Sequence, residues 1–331
     1  MAPEVTAGLR DALPDEAVPD WRAPTLATLT DERFSDPQWI FERKFDGMRC
    51  LAFRDGDRLR LLSRNRQPLN GTYPELVDAL AAQPCGRFVL DGEVVAFDGR
   101  RTSFARLQGR LGITDPELAR ASPVRVFYYV FDLLHLDGKS TVDAPLRWRK
   151  RLLRKAIDFG GPLRYTPHRV ADGLAAYRAA CERGDEGVIA KLADSRYDGG
   201  RSKNWLKFKC VRDQEFVVGG YTSPKGSRVE LGALLLGYYD GPDLVYAGKV
   251  GTGFDDAALR RLHERLSAIA RDAPPFTRGL VRETGAHWAR PELVVQIGFT
   301  EWTRDGKLRH PRYLGVRTDK DAAEVVREAG A

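Results

Sequence analysis

Apolar runs in this chain are short, and glycine and aspartate interrupt them at close intervals, which restricts it to folds built from many brief strands. The stretch WIFERKFDGMRCLAFRDGDRLRLLS, Trp39 to Ser63, shows the pattern. Its strand-like runs break at Asp46-Gly47 and Asp55-Gly56, both good hairpin dipeptides, so a meander is the simplest expectation. A short helix is expected from Pro74 to Gln83, with proline in its first turn, and a strand from Arg87 to Asp98. Val124 to Leu134 reads as another strand. Pro145 opens a basic helix, PLRWRKRLLRKAI, and a further helix is expected from Gly173 to Arg183. This order of elements predicts an α+β domain with antiparallel-rich sheets and flanking helices.

Near Cys210 to Asp213 the texture changes. Gly-rich strands EFVVGGYT, GALLLGYYD and LVYAGKVGTG are followed by one helix, Asp255 to Arg271, then by LVVQIGFTEW and HPRYLGVRT. Strands interrupted by a single helix fit a C-terminal β-barrel of the OB-fold type. With 331 residues, 43% of them hydrophobic, the chain can form two compact domains. The expected division is a leader over 1–22, one domain over 23–210 and the OB-fold over 211–331.

Charge is unevenly spread. Of 53 Lys and Arg against 46 Asp and Glu, residues 31–210 hold 33 and 24, so the basic excess of the chain, +7 in all, lies in its middle. Such a field favours polyanions, though alone it does not prove binding to one. The four cysteines, Cys50, Cys85, Cys181 and Cys210, form no CxxC pair and read as free thiols; the five histidines show no HExxH spacing. Any metal is therefore expected on oxygen ligands. No apolar run approaches eighteen residues and the acidic start is no signal peptide, so a soluble, cytoplasmic chain is expected.

The densest chemical group is Glu42-Arg43-Lys44-Phe45-Asp46-Gly47-Met48-Arg49. On a strand, Glu42 and Lys44 share a face. Taken alone, this KxDG is a solvated charged strand end. However, charged clusters recur downstream at Ser63-Arg64-Asn65, Asp91-Gly92-Glu93, Asp185-Glu186-Gly187 and Lys207-Phe208-Lys209. Together, in this order, they resemble the covalent nucleotidyltransferase superfamily of ATP-dependent DNA ligases, RNA ligases and mRNA capping enzymes. Further segments, among them DEGVIAKLADSRYDGGRSKNWLKFK, ELGALLLGYYDG, LVYAGKVGTGF and LRHPRYLGVRTDK, are most similar to the bacterial ATP-dependent ligases of non-homologous end joining.

That resemblance implies a nucleotidyltransferase (adenylation) domain followed by an OB-fold domain, with Lys44 as the nucleophile that takes AMP from ATP. Only the neutral amine attacks. With a reference pKa near 10.4, roughly one lysine in a thousand is neutral at physiological pH, a handicap of about 4 kcal/mol. Lys207 and Lys209, which share a strand face, are expected to disfavour the charged amine and stabilise charge on the α-phosphate. Glu186 is implied as the ligand of Mg2+ or Mn2+, with Glu93 contacting the ribose and assisting the metal. Phe131 is implied as the adenine-stacking ring, and Glu42 or its backbone reads the base. Arg49 and Arg64 hold the ribose and phosphates, Arg64 and Arg201 meet nucleic acid, and Arg317 and Lys320 orient the departing pyrophosphate from the OB-fold domain. As free-standing sequence, RTDK reads only as a capped helix start before AAEVVREAG.

The implied partner is DNA, as a nicked duplex or broken ends, in the bacterial nucleoid; a Ku-like end-binding protein is a further implied partner, and a monomer is expected. The basic helix 145–155, with Arg147, Arg149, Lys150, Arg151, Arg154 and Lys155, is either a phosphate contact or simply a solvated face. Two other readings stand beside this one. The first is an RNA ligase or GTP-using capping enzyme; the second is a nucleic-acid-binding protein whose OB-fold domain does the work. Clustered carboxylates in a basic cleft argue against the second, since binding alone does not require them.

Overall fold

The computed structural model describes residues 13–210, 213–224 and 230–328. It divides into two compact units, and the division falls after Cys210. Among the described residues no helix is long and apolar enough to cross a membrane.

Among the described residues, twelve strands build the first unit: β1 (Thr25–Leu29), β2 (Trp39–Lys44), β3 (Met48–Asp55), β4 (Arg58–Ser63), β5 (Arg87–Asp98), β6 (Arg101–Thr102), β7 (Val126–Leu136), β8 (Lys139–Ser140), β9 (Leu163–Tyr165), β10 (His168–Val170), β11 (Gly187–Leu192) and β12 (Gly200–Lys209). One sheet runs β4-β3-β5-β7-β8, with β6 on β5 and β9 on β7; the other runs β1-β12-β11-β2-β10.

Period-two alternation divides the core. On β3, Cys50 and Ala52 pack with Leu76, Leu80, Trp148 and Leu152 from the helices Pro74–Ala81 and Leu146–Ala156. Leu51 and Phe53 point the opposite way, into a cluster with Val89, Phe131, Tyr197 and Trp205 that joins the two sheets. On the second sheet, Phe41, Val188, Ala190 and Phe208 turn outward onto Ala180 of the helix Gly173–Glu182. That leaves Glu42, Lys44, Ile189, Lys191, Lys207 and Lys209 on the inward face.

The expected meander is only half right. Asp55-Gly56 does close a hairpin, with Asp55 opposite Arg58. Asp46-Gly47 instead carries the chain from one sheet to the other, because β2 pairs with β11 and β10 whereas β3 pairs with β4 and β5. Gly47 is required by close approach: a Cβ there would lie 2.4 Å from the Val94 carbonyl. The Asp46 carboxylate accepts from the Phe104 amide at 2.9 Å and helps fix the crossing.

Two other expectations need correcting. Cys181 and Cys210 are not free thiols: the end of the helix Gly173–Glu182 meets the residue after β12 and the two form a disulfide, leaving Cys50 and Cys85 unpaired. Nor is the basic helix wholly a surface feature. Arg149 is fully buried and bridges both Asp132 oxygens at 2.8 Å, while the buried Lys150 reaches Glu42. Of the expected leader, residues 13–22 are partly tied to this unit: Trp21 packs near Phe53, and Arg60 donates to the Asp20 carbonyl at 2.9 Å. Residues 1–12 lie outside the described residues.

Among its described residues the second unit has eight strands, β13 (Asp213–Thr222), β14 (Leu234–Asp240), β15 (Asp243–Val250), β16 (Ala270–Arg271), β17 (Ala286–Gly298), β18 (Glu301–Trp302), β19 (Leu308–Arg309) and β20 (Arg312–Val316), and one long helix, Asp256–Ala268. The main sheet runs β15-β14-β13-β17-β16 with β20 on β17, and its curl gives the OB-fold. Leu259, Leu262 and Leu266 of the helix belong to the same core as Phe216, Leu236 and Val295. The helix expected after RTDK is only a 3-10 turn, Ala322–Glu324.

Candidate active site

Lys44 ends β2, immediately before the crossing between sheets, and its ammonium pairs with the Glu186 carboxylate. Both are largely shielded, with side-chain exposures of 17% and 15%. Strand register explains the surroundings. Gly187 of β11 stands opposite Lys44 on one side and Lys209 on the other, and in the next inward row Ile189 stands between Glu42 and Lys207. Register partners share a sheet face, so Lys44 and Lys209 rise from strands about 10 Å apart, with no side chain between them because the middle residue is glycine. Gly187 cannot readily be anything else. Its φ is +148°, and a Cβ would fall 2.0 Å from the Phe208 carbonyl.

Deeper on the same face, Glu42 lies buried between two lysines, Lys150 and Lys191, the latter 2.6 Å from Oε2. Lys150 also donates to the Thr166 carbonyl at 3.1 Å. Burial would raise the Glu42 carboxyl pKa, but the two ammonium groups outweigh it and hold the group below its ordinary value. Burial also pushes Lys191 down to about 8, against the attraction of Glu42 and with the repulsion of Lys150. No motif singles out Lys191, and Lys150 stands in the sequence only as one of the basic residues of a helix expected either to contact phosphate or to face solvent. The available signal was that Ile189 and Lys191 fall on the inward side of a strand whose outward residues are apolar.

Arg49, at the start of β3, grips Asp91 with Nη2–Oδ2 at 2.6 Å and donates to the Thr25 carbonyl at 3.1 Å. Asp91 also accepts from the Tyr197 hydroxyl at 2.6 Å. The Arg49 guanidinium lies 4.7 Å from the centre of the Phe131 ring, and Lys191 Nζ lies 4.1 Å from it. Glu93 of β5 stands opposite Arg49 in the ladder. The first unit thus carries Glu42, Lys44, Arg49, Glu93, Phe131, Lys207 and Lys209 on strands of its two sheets, with Glu186 in the turn just before β11. Arg64 follows β4, half-buried. Arg201 is exposed at the start of β12, donating to the Ala27 carbonyl at 3.2 Å.

In the second unit Arg317 makes a two-pronged contact with Asp319, at 2.9 and 2.7 Å, and Lys320 lies 3.2 Å from Glu215 on β13. Among the described residues no group of three or more His, Cys, Asp or Glu could hold a metal ion by itself. A site offering one or two carboxylates, of which Glu186 is the best placed, fits Mg2+ all the same, because that ion keeps waters and takes substrate phosphates as its remaining ligands.

A domain of two sheets enclosing charged side chains, followed by a curled-sheet domain, has the fold of a nucleotidyltransferase with an appended OB-fold. The chain belongs to the ATP-dependent DNA ligase family: residues 24–209 match the ATP dependent DNA ligase domain and residues 227–320 the ATP dependent DNA ligase C terminal region. It is 38% identical over 95% of its length to the multifunctional non-homologous end joining protein LigD of Pseudomonas aeruginosa, and 37% identical over 94% to that of Mycolicibacterium smegmatis. It spans only 37% and 40% of those two proteins. Among solved structures, a mycobacterial DNA ligase D complexed with ATP and MES matches with a TM-score of 0.66 and 35% identity, over 92% of this chain and 98% of that one.

Proposed function

We propose that the chain seals breaks bearing a 3′-hydroxyl and a 5′-phosphate in DNA, using ATP and a lysyl-AMP intermediate on Lys44, in repair by end joining. The observation that carries this reading is the row Lys44, Gly187, Lys209 beside Glu186. It leaves a space, floored by a glycine and flanked by two lysines, where a phosphate can sit against the amine.

In the first step the neutral Lys44 amine attacks the α-phosphorus of ATP; the P–N bond forms, the bond to the β-phosphate oxygen breaks, and pyrophosphate leaves. Lys207 and Lys209 stabilise the charge developing on the α-phosphate. Before attack, Lys44 must leave Glu186 and lose its proton, since an ammonium held by a carboxylate is not nucleophilic. Glu186, with Glu93, is the candidate holder of Mg2+ or Mn2+, which neutralises phosphate charge. AMP then passes to a 5′-phosphate and leaves when the 3′-hydroxyl attacks. Phe131, Glu42, Arg49 and Arg64 are assigned to the nucleotide, Arg64 and Arg201 to DNA, and Arg317 and Lys320 to pyrophosphate. In this reading the adenylation domain is 23–210 and the OB-fold domain 211–331. The enzyme acts as a monomer on DNA in the nucleoid, with a Ku-like end-binding protein as its recruiting partner.

The test is a pulse and chase. With α-labelled ATP and magnesium, the chain takes label that survives a denaturing gel, and Lys44→Ala takes none. Chasing the adduct with nicked duplexes of DNA or RNA releases the label as free AMP while the DNA nick is sealed. Equal labelling of both proteins removes Lys44 from its role, and a GTP preference or an RNA-only acceptor replaces the DNA ligase reading with a capping enzyme or RNA ligase.

A further inference from the structure

The Cys181–Cys210 disulfide closes the segment that carries Glu186, Lys207 and Lys209. Cys181 lies in the last turn of the helix Gly173–Glu182, and Cys210 directly follows Lys209. Their Cα atoms are 5.2 Å apart across a sequence separation of 29. Between helix and β11 only the short turn Arg183 to Glu186 intervenes, and three hydrogen bonds bind it and its neighbour strand: the Asp185 amide to the Ala180 carbonyl at 2.9 Å, the Cys210 amide to the Glu186 carbonyl at 3.0 Å, and the Tyr177 hydroxyl to the Lys209 carbonyl at 3.2 Å. The disulfide therefore ties the helix end that leads into the Glu186 turn to the residue that follows Lys209.

We propose that this pair is a reversible redox modification site that tightens the adenylation centre. The proposal takes the roles of Glu186 and Lys209 from the function proposed above. Both half-cystines are only half-buried, so a small thiolate can reach them. Reduction by a dithiol proceeds through a mixed disulfide: one thiolate attacks a sulfur and expels the other cysteine as thiolate. The second thiol then displaces the first cysteine, so that two electrons and two protons pass to the protein and the dithiol becomes a disulfide. A small-molecule disulfide reverses the step. The remaining cysteines do not compete, because the thiolate is the reactive form and burial pushes Cys85 up to about 11 and Cys50 further still.

Freed of the link, the Glu186 turn relies on its hydrogen bonds and on ion pairs such as Arg43–Asp185 at 2.7 Å, and samples positions away from Lys44 more often. The full chain is to be compared after treatment with a small-molecule disulfide and with dithiothreitol, counting thiols, following hydrogen exchange, and titrating magnesium in the labelling assay. The oxidised form is expected to hold two thiols and the reduced form four. Reduction should speed exchange at the amides of 184–187 and 210 while leaving β3 and β5 unchanged, and should raise the half-saturating magnesium about tenfold, the usual effect of loosening a metal site's support. Cys181→Ser/Cys210→Ser should hold two thiols under both treatments and keep the exchange and magnesium values of the reduced form. Four thiols in the oxidised form, exchange that does not change on reduction, or a double variant that still responds to dithiol would overturn the proposal. Should neither form take label, the ligase reading fails, while thiol count and exchange still decide the clamp.

Discussion

Lys191 offers a test of the buried charge cluster that does not depend on catalysis. It is 2% exposed, and burial brings its pKa down from the ordinary 10.5 to about 8. A group whose folded pKa lies below its unfolded value makes folding less favourable wherever both states carry the proton, so the penalty is complete below about pH 8. As pH rises through the interval from 8 to 10.5 the folded protein releases the proton first, the unfolded chain binds more protons, and stability rises. At about 1.4 kcal/mol per pH unit, the interval sums to about 3 kcal/mol. Lys191→Met removes the titration and leaves Glu42 paired with Lys150. Urea unfolding of both proteins at pH 7, 8, 9 and 10, followed by the fluorescence of Trp205, whose ring centre is 3.9 Å from Lys191 Nζ, isolates this term as a difference between two curves. The wild type is expected to gain about 2.5 kcal/mol on the variant from pH 7 to 10. Parallel curves would refute the assignment of the depressed lysine to this cluster.

Other substitutions probe neighbouring features. Gly187→Ala places a methyl group 2.0 Å from a backbone carbonyl at φ +148° and should both destabilise the first unit, by about 2–4 kcal/mol, and abolish labelling of Lys44; thermal melting and the gel assay read the two effects. Asp132→Ala leaves the fully buried Arg149 guanidinium without its carboxylate and should cost about 3–5 kcal/mol in urea unfolding, whereas replacing both by apolar residues of similar volume should cost much less. Lys209→Ala should slow adenylation by about 100-fold or more with little loss of stability, measured by single-turnover labelling.

Much of the architecture was legible because it rests on local signals. Alternation gave β3 to β5 and β7, and proline and glycine placed the helices within a few residues. Asp46-Gly47 was misread for a physical reason. A two-residue turn signal reports local backbone preference, but which sheet the next strand joins depends on pairings with β11 and β5, far along the chain. The Cys181–Cys210 pair was hidden in the same way, since neither spacing nor composition shows that a helix end and a strand end converge.

The charged centre shows how far sequence periodicity reaches and where tertiary register must take over. Period two alone puts Glu42 and Lys44 on one face of their strand and Ile189 and Lys191 on one face of theirs, and the apolar residues between them mark these as the faces opposite the helix-covered side. An inward charge is tolerable only with a partner, which sequence could have required but not named. Register supplies the partners: Glu42 stands opposite Ile189, one inward position from Lys191, and Lys150 comes from a helix 108 residues away. Because Glu42 is held by two lysines, the cluster carries one positive charge in excess beneath the Lys44 row. That excess works in the direction the proposed chemistry needs, disfavouring a further ammonium above it and favouring the phosphates of an incoming nucleotide.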